Sequence, residues 1–338
     1  MNKHRILMKL VTSFLFALQT TLLVSQTTIS GTVFDEKTNE PLEGVSVYFD
    51  GSTFGVVTNP KGYFELPVDE KINSALVISF LGYSDLVVPN PYDKGNWKIY
   101  LKEKAIVLEG VTLKADPFTR AEKLRAFKAQ FLGNSANGRS CKIINEDAIW
   151  LSYDVTSNKL LAFSDEPIII RNKLLGYENR FKLIDFFVEY NRQTLSSLST
   201  KETYYAGTSF FIDKQKDKRL YRKRRNATYQ GSVLHLMRTI RDEDFDNQKF
   251  RFFKGGFKIK PESYINVIKQ ENNTKVILPD FKMPILFKNR RSDLTKRGDY
   301  LIIDGYGNFS PPNNLYFNGD MGMQRIGDML PLDFKPEK

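Results

Sequence analysis

A run of short alternating segments between residues 29 and 101 constrains the fold of this chain more than any other feature. Within it, Val45, Val47 and Phe49 alternate with other side chains at the two-residue period of a half-buried strand. Residues 59–62 (NPKG) separate two such segments, and proline followed by glycine in this order predicts a tight hairpin turn. About seven segments with regular turn signals predict a seven-stranded β-sandwich at residues 26–103.

The first 25 residues have the pattern of a signal peptide. Lys3, Arg5 and Lys9 precede a mostly apolar run at residues 10–24, and the small residue Ser25 follows it. The run is shorter and more polar than the ~20 apolar residues that span a membrane. We therefore expect export, and a mature chain without a transmembrane span in the periplasm, at the outer membrane or at the cell surface. A retained amphipathic helix is the alternative.

Four motifs in the predicted sandwich resemble one known family. They lie at residues 31–33 (GTV), 41–45 (PLEGV), 58–62 (TNPKG) and 81–83 (LGY). Together they resemble the carboxypeptidase-regulatory-like domain, a transthyretin-like and Ig-like sandwich that also opens many TonB-dependent receptors. The chain that follows is too short for a receptor plug and a large membrane barrel. The resemblance implies no peptidase activity, because a zinc carboxypeptidase needs two histidines and the mature chain has only His235.

A second domain is predicted at residues 116–338, after a linker at residues 104–115. Leu124, Phe127 and Phe131 recur on one face and predict a helix over residues 116–133, and a second helix is expected after Ser232. Most other segments have the composition of strands: 148–153, 160–163, 167–171, 181–190, 203–211, 250–259, 264–269, 274–278, 284–288, 300–303 and 315–317. The predicted fold class is mainly β, with two short helices in the second domain.

The two-domain layout resembles a group of exported bacterial proteins in which this sandwich precedes an uncharacterised β-rich domain. The residues that carry this resemblance lie at 131–133, 141–145, 172–177, 229–232 and 330–333. No activity is known for that group. The resemblance therefore implies an architecture and a compartment, and no function.

Eight cations crowd into residues 214–225 of a chain whose formal net charge is +11. Nucleic acid is not expected as a partner, because the chain is predicted to be exported and carries no nucleic-acid fold signature. Two interpretations stay open. The favoured one is a solvated hairpin or loop; the other is a site for an anionic polymer, lipid headgroups or an acidic partner. The candidate binding residues of this run are Lys218, Arg219, Arg222, Lys223, Arg224 and Arg225.

Tyrosines near glycines form a second set of candidate binding residues. Aromatic rings on loops can stack on sugar faces, although core packing explains any single ring more simply. The candidates are Tyr204, Tyr205 and Tyr306.

The single cysteine and one serine–histidine spacing each have a structural explanation. Cys141 is the single cysteine, so no intramolecular disulfide can form, and we expect it to be a small buried residue. Ser232 and His235 lie about one helical turn apart, as a Ser–His pair would require. Ser232 is better explained as the N-cap of the helix that follows it.

Asp242, Asp244 and Asp246 imitate the start of a calcium loop. Asn247 occupies the position at which an EF-hand needs glycine, so only an irregular calcium site stays open, and a solvated acidic loop is favoured.

We predict no catalytic residue, metal or cofactor. The expected function is a non-catalytic envelope protein that binds a protein partner or a glycan. The alternative is an envelope hydrolase of the glycosidase type, because that chemistry needs only two carboxylates.

Overall fold

The computed structural model describes residues 27–68, 71–93, 95–104, 116–215 and 218–337. The predicted signal peptide at residues 1–25 and nearly all of the predicted linker lie outside these residues. No helix in the described part of the chain is long and apolar enough to cross a membrane.

The N-terminal domain is a sandwich of two sheets. Its strands are β1 (Thr27–Asp35), β2 (Ser46–Phe49), β3 (Gly55–Val57), β4 (Tyr63–Val68), β5 (Leu76–Ser79), β6 (Leu86–Val88) and β7 (Asn96–Leu101). One sheet has the order β4-β1-β7 and the other the order β3-β2-β5-β6. In β4, Phe64, Leu66 and Val68 are buried while the residues between them are exposed. The seven predicted strands are confirmed, and Gly62 has the positive φ of 70° that the predicted turn requires.

The first half of the second domain is a helix packed on a six-stranded sheet. Its elements are α1 (Arg120–Phe131), α2 (Ala136–Ser140), β8 (Cys141–Ile143), β9 (Ile149–Asp154), β10 (Lys159–Ser164), β11 (Ile168–Asn172), β12 (Tyr177–Tyr190) and β13 (Thr200–Asp213). Along one side of β12, first β11 and then β10 is paired, and β13 lies along the other side. Phe127 and Phe131 of α1 are fully buried against this sheet and contact Phe186.

Helix α1 begins at Arg120, four residues later than predicted. Thr119 accepts a hydrogen bond from the Glu122 backbone N–H, and the Glu122 side chain accepts one from Thr119 in return. This capping box fixes the helix start more strongly than Pro117 does.

The second half of the domain combines two sheets and three helices. Its elements are α3 (Arg219–Tyr229), α4 (Val233–Asp242), β14 (Phe250–Lys254), β15 (Phe257–Ile259), β16 (Asn266–Lys269), β17 (Asn273–Ile277), β18 (Met283–Phe287), β19 (Arg290–Lys296), β20 (Leu301–Asp304), β21 (Phe309–Ser310), β22 (Leu315–Asn318) and α5 (Gly319–Gly322). The sheets have the orders β15-β14-β18-β19-β22 and β16-β17-β20-β21. Leu236, Met237 and Ile240 of α4 are buried in their shared core.

The mainly β class is confirmed, but the described residues contain five α-helical segments where two helices were predicted. Strand β19 was missed because only Leu294 among its seven residues is a large apolar side chain. The segment predicted as a strand at residues 250–259 is a hairpin, in which Gly255 and Gly256 form the turn between β14 and β15.

The sandwich is fastened to the second domain by specific contacts. The Tyr48 ring lies 5.0 Å from that of Phe210, and its hydroxyl is 3.1 Å from that of Thr208. On another side, the Asn73 backbone N–H donates to Asp304 Oδ2 at 2.7 Å. These contacts place the sandwich directly beside β13.

Candidate functional site

A cavity with a volume of about 1240 Å³ lies between the two halves of the second domain. One wall is formed by the end of α1, by α2 and by the start of β13. The facing wall is formed by α3, β19, β22 and the segment after α5. We call this cavity the β13 cleft.

The β13 cleft runs along the edge of a strand. Six consecutive residues of β13, from Thr200 to Tyr205, line it. Side chains alternate between the two faces of a strand, so a cavity lined by six in a row must follow the strand's edge. Apart from one bridge between Ser52 and Phe210, the described residues place no strand on the side of β13 opposite β12.

Cations outnumber acids in the β13 cleft. Arg290 is paired with Asp320 at 3.2 Å, and Lys201 is paired with Glu189. Arg325 donates to the backbone carbonyl groups of Gln130, Gly322 and Gln324, so it holds the wall together.

Two arginines of the β13 cleft have no carboxylate within ion-pairing distance in the described part of the chain: Arg224 and Arg297. The Arg297 guanidinium lies over the Tyr316 ring, 4.4 Å from its centroid, and that of Arg224 lies 5.8 Å from the Tyr221 ring. Stacking like that of Arg297 on Tyr316 leaves the edge N–H donors of a guanidinium available to a planar anion.

The predicted tyrosines have three different environments. Tyr205 points to the inner face of the sheet, where it contacts Phe131 and Phe181 edge to face, and burial raises its pKa. Tyr204 points to the outer face, is 43% exposed and stacks on Phe187 at 5.4 Å. Both line the β13 cleft. Tyr306 is 5% exposed, packs against the core of the sandwich and lines a different cavity, so the structure does not bring it together with Tyr204 and Tyr205.

Residues 219–225 of the basic run lie in helix α3, so the interpretation of the run as a hairpin or loop is wrong for these residues. Lys218, Arg219 and Lys223 are exposed and do not line the β13 cleft, and Arg222 is paired with Glu337 at 3.2 Å. Among the residues of the run that the structure describes, only Arg224 lines the cleft.

Arg225 is a structural residue and not a binding residue. Its side chain is 4% exposed, its guanidinium makes two hydrogen bonds of 2.7 Å to the Asp213 carboxylate, and its Nε donates to the Leu175 carbonyl. The same guanidinium lies 3.8 Å from the centroid of the Tyr177 ring. Three of its five N–H donors and one face of its guanidinium are therefore used inside the fold, so its prediction as an exposed binding residue is wrong.

Sequence reasoning missed a set of aromatic residues on the outer face of the sheet. Trp150 and Phe163 are Cα partners in β9 and β10 and are 68% and 56% exposed. Leu161 pairs with Phe187, which carries the stacked Tyr204 ring. The sequence feature that could have indicated this surface is β10, in which apolar side chains do not alternate with polar ones and therefore lie on both faces of the sheet.

His235 lines a second cavity of about 640 Å³ but does not form a Ser–His pair. Its Nδ1 accepts a hydrogen bond from the Gly231 N–H at 2.9 Å, and its Nε2 therefore donates to Gln248 Oε1 at 2.8 Å. Burial lowers its pKa, which keeps the ring neutral. Ser232 is the N-cap of α4, as predicted, and accepts from the His235 N–H.

The acidic run after α4 is held by neighbouring side chains. Asp242 is paired with Arg241 at 2.7 Å, and Asp244 accepts from Asn247 and Gln248. Within the described residues no group of three His, Cys, Asp or Glu side chains could hold a metal ion.

Cys141 is half-buried, less than predicted, and its thiol lies 3.3 Å from the Asn137 carbonyl oxygen. Burial raises its pKa to about 12. A thiol with so high a pKa is protonated and unreactive at neutral pH.

Asp50 of the sandwich occupies the edge of β13 beyond the cleft. Its Oδ1 accepts a hydrogen bond from the Ser209 N–H at 2.6 Å, and burial raises its pKa to about 6. A carboxyl at this junction makes the attachment of the sandwich sensitive to pH.

We expect Asp50→Asn to change how stability depends on pH. The folded-state pKa of about 6 lies above the ordinary value of 3.8, so the stability contributed by this group is fully present below pH 3.8. It is lost as the pH rises through about 6. Asparagine keeps the acceptor for Ser209 but does not ionise. The unfolding free energy of Asp50→Asn minus that of the parent should rise by about 2–3 kcal/mol between pH 4 and pH 7. Urea denaturation measures it, and a difference that stays constant across this range would contradict the assignment.

Residues 29–113 match the family described as the CarboxypepD_reg-like domain, which agrees with the resemblance noted in the sequence. No curated protein sequence matches the chain. The crystal structure of a Bacteroides fragilis protein of unknown function, provisionally described as membrane-associated, overlaps 82% of this chain and 93% of its own, at 11% identity and a TM-score of 0.19. A TM-score this low does not define a common fold.

Proposed function

We propose that this chain, in which residues 29–113 form a CarboxypepD_reg-like domain, is a non-catalytic protein of the bacterial cell envelope that holds an extended, carboxylate-bearing chain in the β13 cleft. The observation that carries this proposal is the pair Arg224 and Arg297. Both line one elongated cavity, each lies beside a tyrosine ring, and neither has an acidic partner in the described residues.

The shape and polarity of the β13 cleft support a polymeric ligand. Its volume of about 1240 Å³ exceeds the ~300–1,000 Å³ of ordinary small-molecule pockets. Its walls are rich in amides, hydroxyls and arginines, which suits an extended polar chain better than a compact apolar molecule.

The acids of the β13 cleft favour binding over hydrolysis. Asp320 is paired with Arg290, and Asp328 accepts hydrogen bonds from Ser135 and Asn137. Glu202 is left without a second uncommitted carboxylate among the described lining residues. A glycosidase needs two carboxyl groups facing the same bond.

Arg224→Gln combined with Arg297→Gln should weaken the binding of an acidic polymer. Each lost hydrogen bond to a charged group is worth about 1.5–3 kcal/mol, so we expect at least a roughly tenfold loss of affinity. The matched control is Lys218→Gln combined with Lys223→Gln, which removes the same charge from exposed positions outside the cleft.

Binding is measured by fluorescence anisotropy with labelled poly-L-glutamate and with labelled polygalacturonate, against poly-L-lysine and a neutral glucan. We expect the acidic probes alone to bind, and only the arginine variant to lose them. Equal losses in the two variants would show non-specific attraction to net charge and would overturn the proposal, as would the absence of any binding.

A further inference from the structure

The edge of β13 is already used for pairing by another part of this chain. The Gly51 N–H donates to the Ser209 carbonyl at 2.7 Å, and the Phe211 N–H donates to the Ser52 carbonyl at 2.9 Å. With the Asp50 carboxylate on the Ser209 N–H, the segment between β2 and β3 adds to the sheet as a short extra strand. The backbone of Ser209 and Phe211 therefore points away from β12.

Continuing this alternation along β13 identifies the next groups on the same edge. From Glu202 to Asp213 the pairing of β13 with β12 skips no residue of β13, and the first bulge on β13 comes at Lys201. Backbone groups in a strand point alternately to either side. Thr203, Tyr205 and Gly207 therefore direct their N–H and C=O groups away from β12, as Ser209 does. In the described part of the chain no strand pairs with them. We call these groups the open edge.

An unpaired strand edge is a template for another strand, and folded proteins usually cover or blunt it. Here the sandwich covers the edge at Ser209 to Phe211, whereas Thr203 and Tyr205 face the β13 cleft. An extended polypeptide can satisfy these backbone groups with its own, in the manner of β-strand addition. A glycan has no alternating amide donors and acceptors with which to do so.

We propose that the ligand of the β13 cleft is an extended acidic polypeptide segment of a partner protein, which adds as a strand to the open edge. The inference rests on the proposed function and names its ligand class. The segment lies in line with the pairing made by Gly51 and Ser52. Its alternate side chains carry carboxylates, which complement the uncommitted guanidinium groups of Arg224 and Arg297.

Thr203→Pro tests the open edge directly. Proline removes the N–H that points into the cleft, and a proline on an edge strand is tolerated where that N–H faces away from the sheet. The control is Thr203→Val, which keeps the N–H but removes the hydroxyl that donates to Gln130 Oε1. We expect the affinity for an acidic peptide to fall about tenfold in Thr203→Pro and to change less than about threefold in Thr203→Val. Circular dichroism confirms that both variants are folded.

A second measurement varies the ligand and leaves the protein unchanged. The probe is a labelled short peptide in which glutamate and valine alternate, together with two N-methylated versions, one methylated at every glutamate and one at every valine. In an extended peptide of this sequence, all glutamate side chains lie on one face and all glutamate N–H groups point to one side, while the valines take the opposite face and side. When the carboxylates face the arginines, the N–H groups of only one residue type therefore point to β13. Methylation of that type blocks pairing, and methylation of the other type does not. We expect one version to lose binding and the other to keep it.

The outcomes separate the two proposals. If the arginine variant loses the peptide while Thr203→Pro and both methylated peptides bind as well as their controls, the cleft binds acidic chains by charge alone and strand addition is overturned. If polygalacturonate binds more tightly than the peptide, the ligand class is wrong. If no acidic probe binds, the proposed function itself fails.

Discussion

Replacing Arg225 by methionine should lower the free energy of unfolding by about 3–5 kcal/mol, which is the cost of leaving a buried ion-pair partner uncompensated. The side chain is 4% exposed and holds both oxygens of the Asp213 carboxylate. Methionine fills a similar volume beside the Tyr177 ring but supplies no donor. Urea denaturation of the two proteins at neutral pH measures the difference.

Two variants make the Arg225 result interpretable. Lys223→Met, two residues earlier on the exposed side of α3, should change stability by less than about 0.5 kcal/mol. Adding Asp213→Asn to Arg225→Met removes the stranded charge and should restore part of the loss. If Arg225→Met costs no more than Lys223→Met, the ion pair has no structural role.

Arg225 also shows where sequence reasoning reached its limit. A run of cations is usually solvated, and nothing local distinguishes Arg225 from Arg224 beside it. Their roles diverge because one side of α3 faces Asp213 and Tyr177 while the adjacent position faces the β13 cleft. That difference depends on tertiary packing and not on composition.

The elements that were predicted well are those with a strong local period. Strand β4 alternates strictly, and the turn before it has proline and glycine where backbone geometry requires them. Strand β19 lacks such a period because only one of its two buried residues, Leu294, is apolar, whereas the other is Ser292.

The candidate site could be predicted only in part. Tyr204, Tyr205 and Arg224 were identified, because aromatic residues and clustered charges stand out in a sequence. Arg297 was missed, since it follows β19 as a single cation and meets Tyr316 only through strand pairing. The open edge could not be predicted either, because the order of strands in a sheet depends on the topology of the whole domain.

Asp304→Ala should destabilise the fold by about 3–4 kcal/mol and loosen the attachment of the sandwich. The carboxylate is fully buried and accepts the backbone N–H groups of Tyr306 and Asn308 through Oδ1 and that of Asn73 through Oδ2. Alanine leaves three backbone donors without an acceptor, one of them buried and two half-buried, at about 1–3 kcal/mol for each donor that water does not reach. Burial raises the pKa of Asp304, because a buried carboxylate loses its solvation. Alanine removes this desolvation cost, which offsets part of the lost stability.

The position of Asp304 gives this prediction a second readout. Asn73 belongs to the sandwich and the other two donors belong to the loop after β20, so the carboxylate joins the two domains. We expect the urea transition of Asp304→Ala to broaden, with the sandwich unfolding separately, whereas the parent unfolds in one transition. The control is Asp280→Ala, whose carboxylate is 92% exposed beside Lys296 and should contribute less than about 1 kcal/mol. A single sharp transition in Asp304→Ala, with a loss no larger than that of the control, would show that the domains are joined mainly by the Tyr48 and Asp50 contacts with β13.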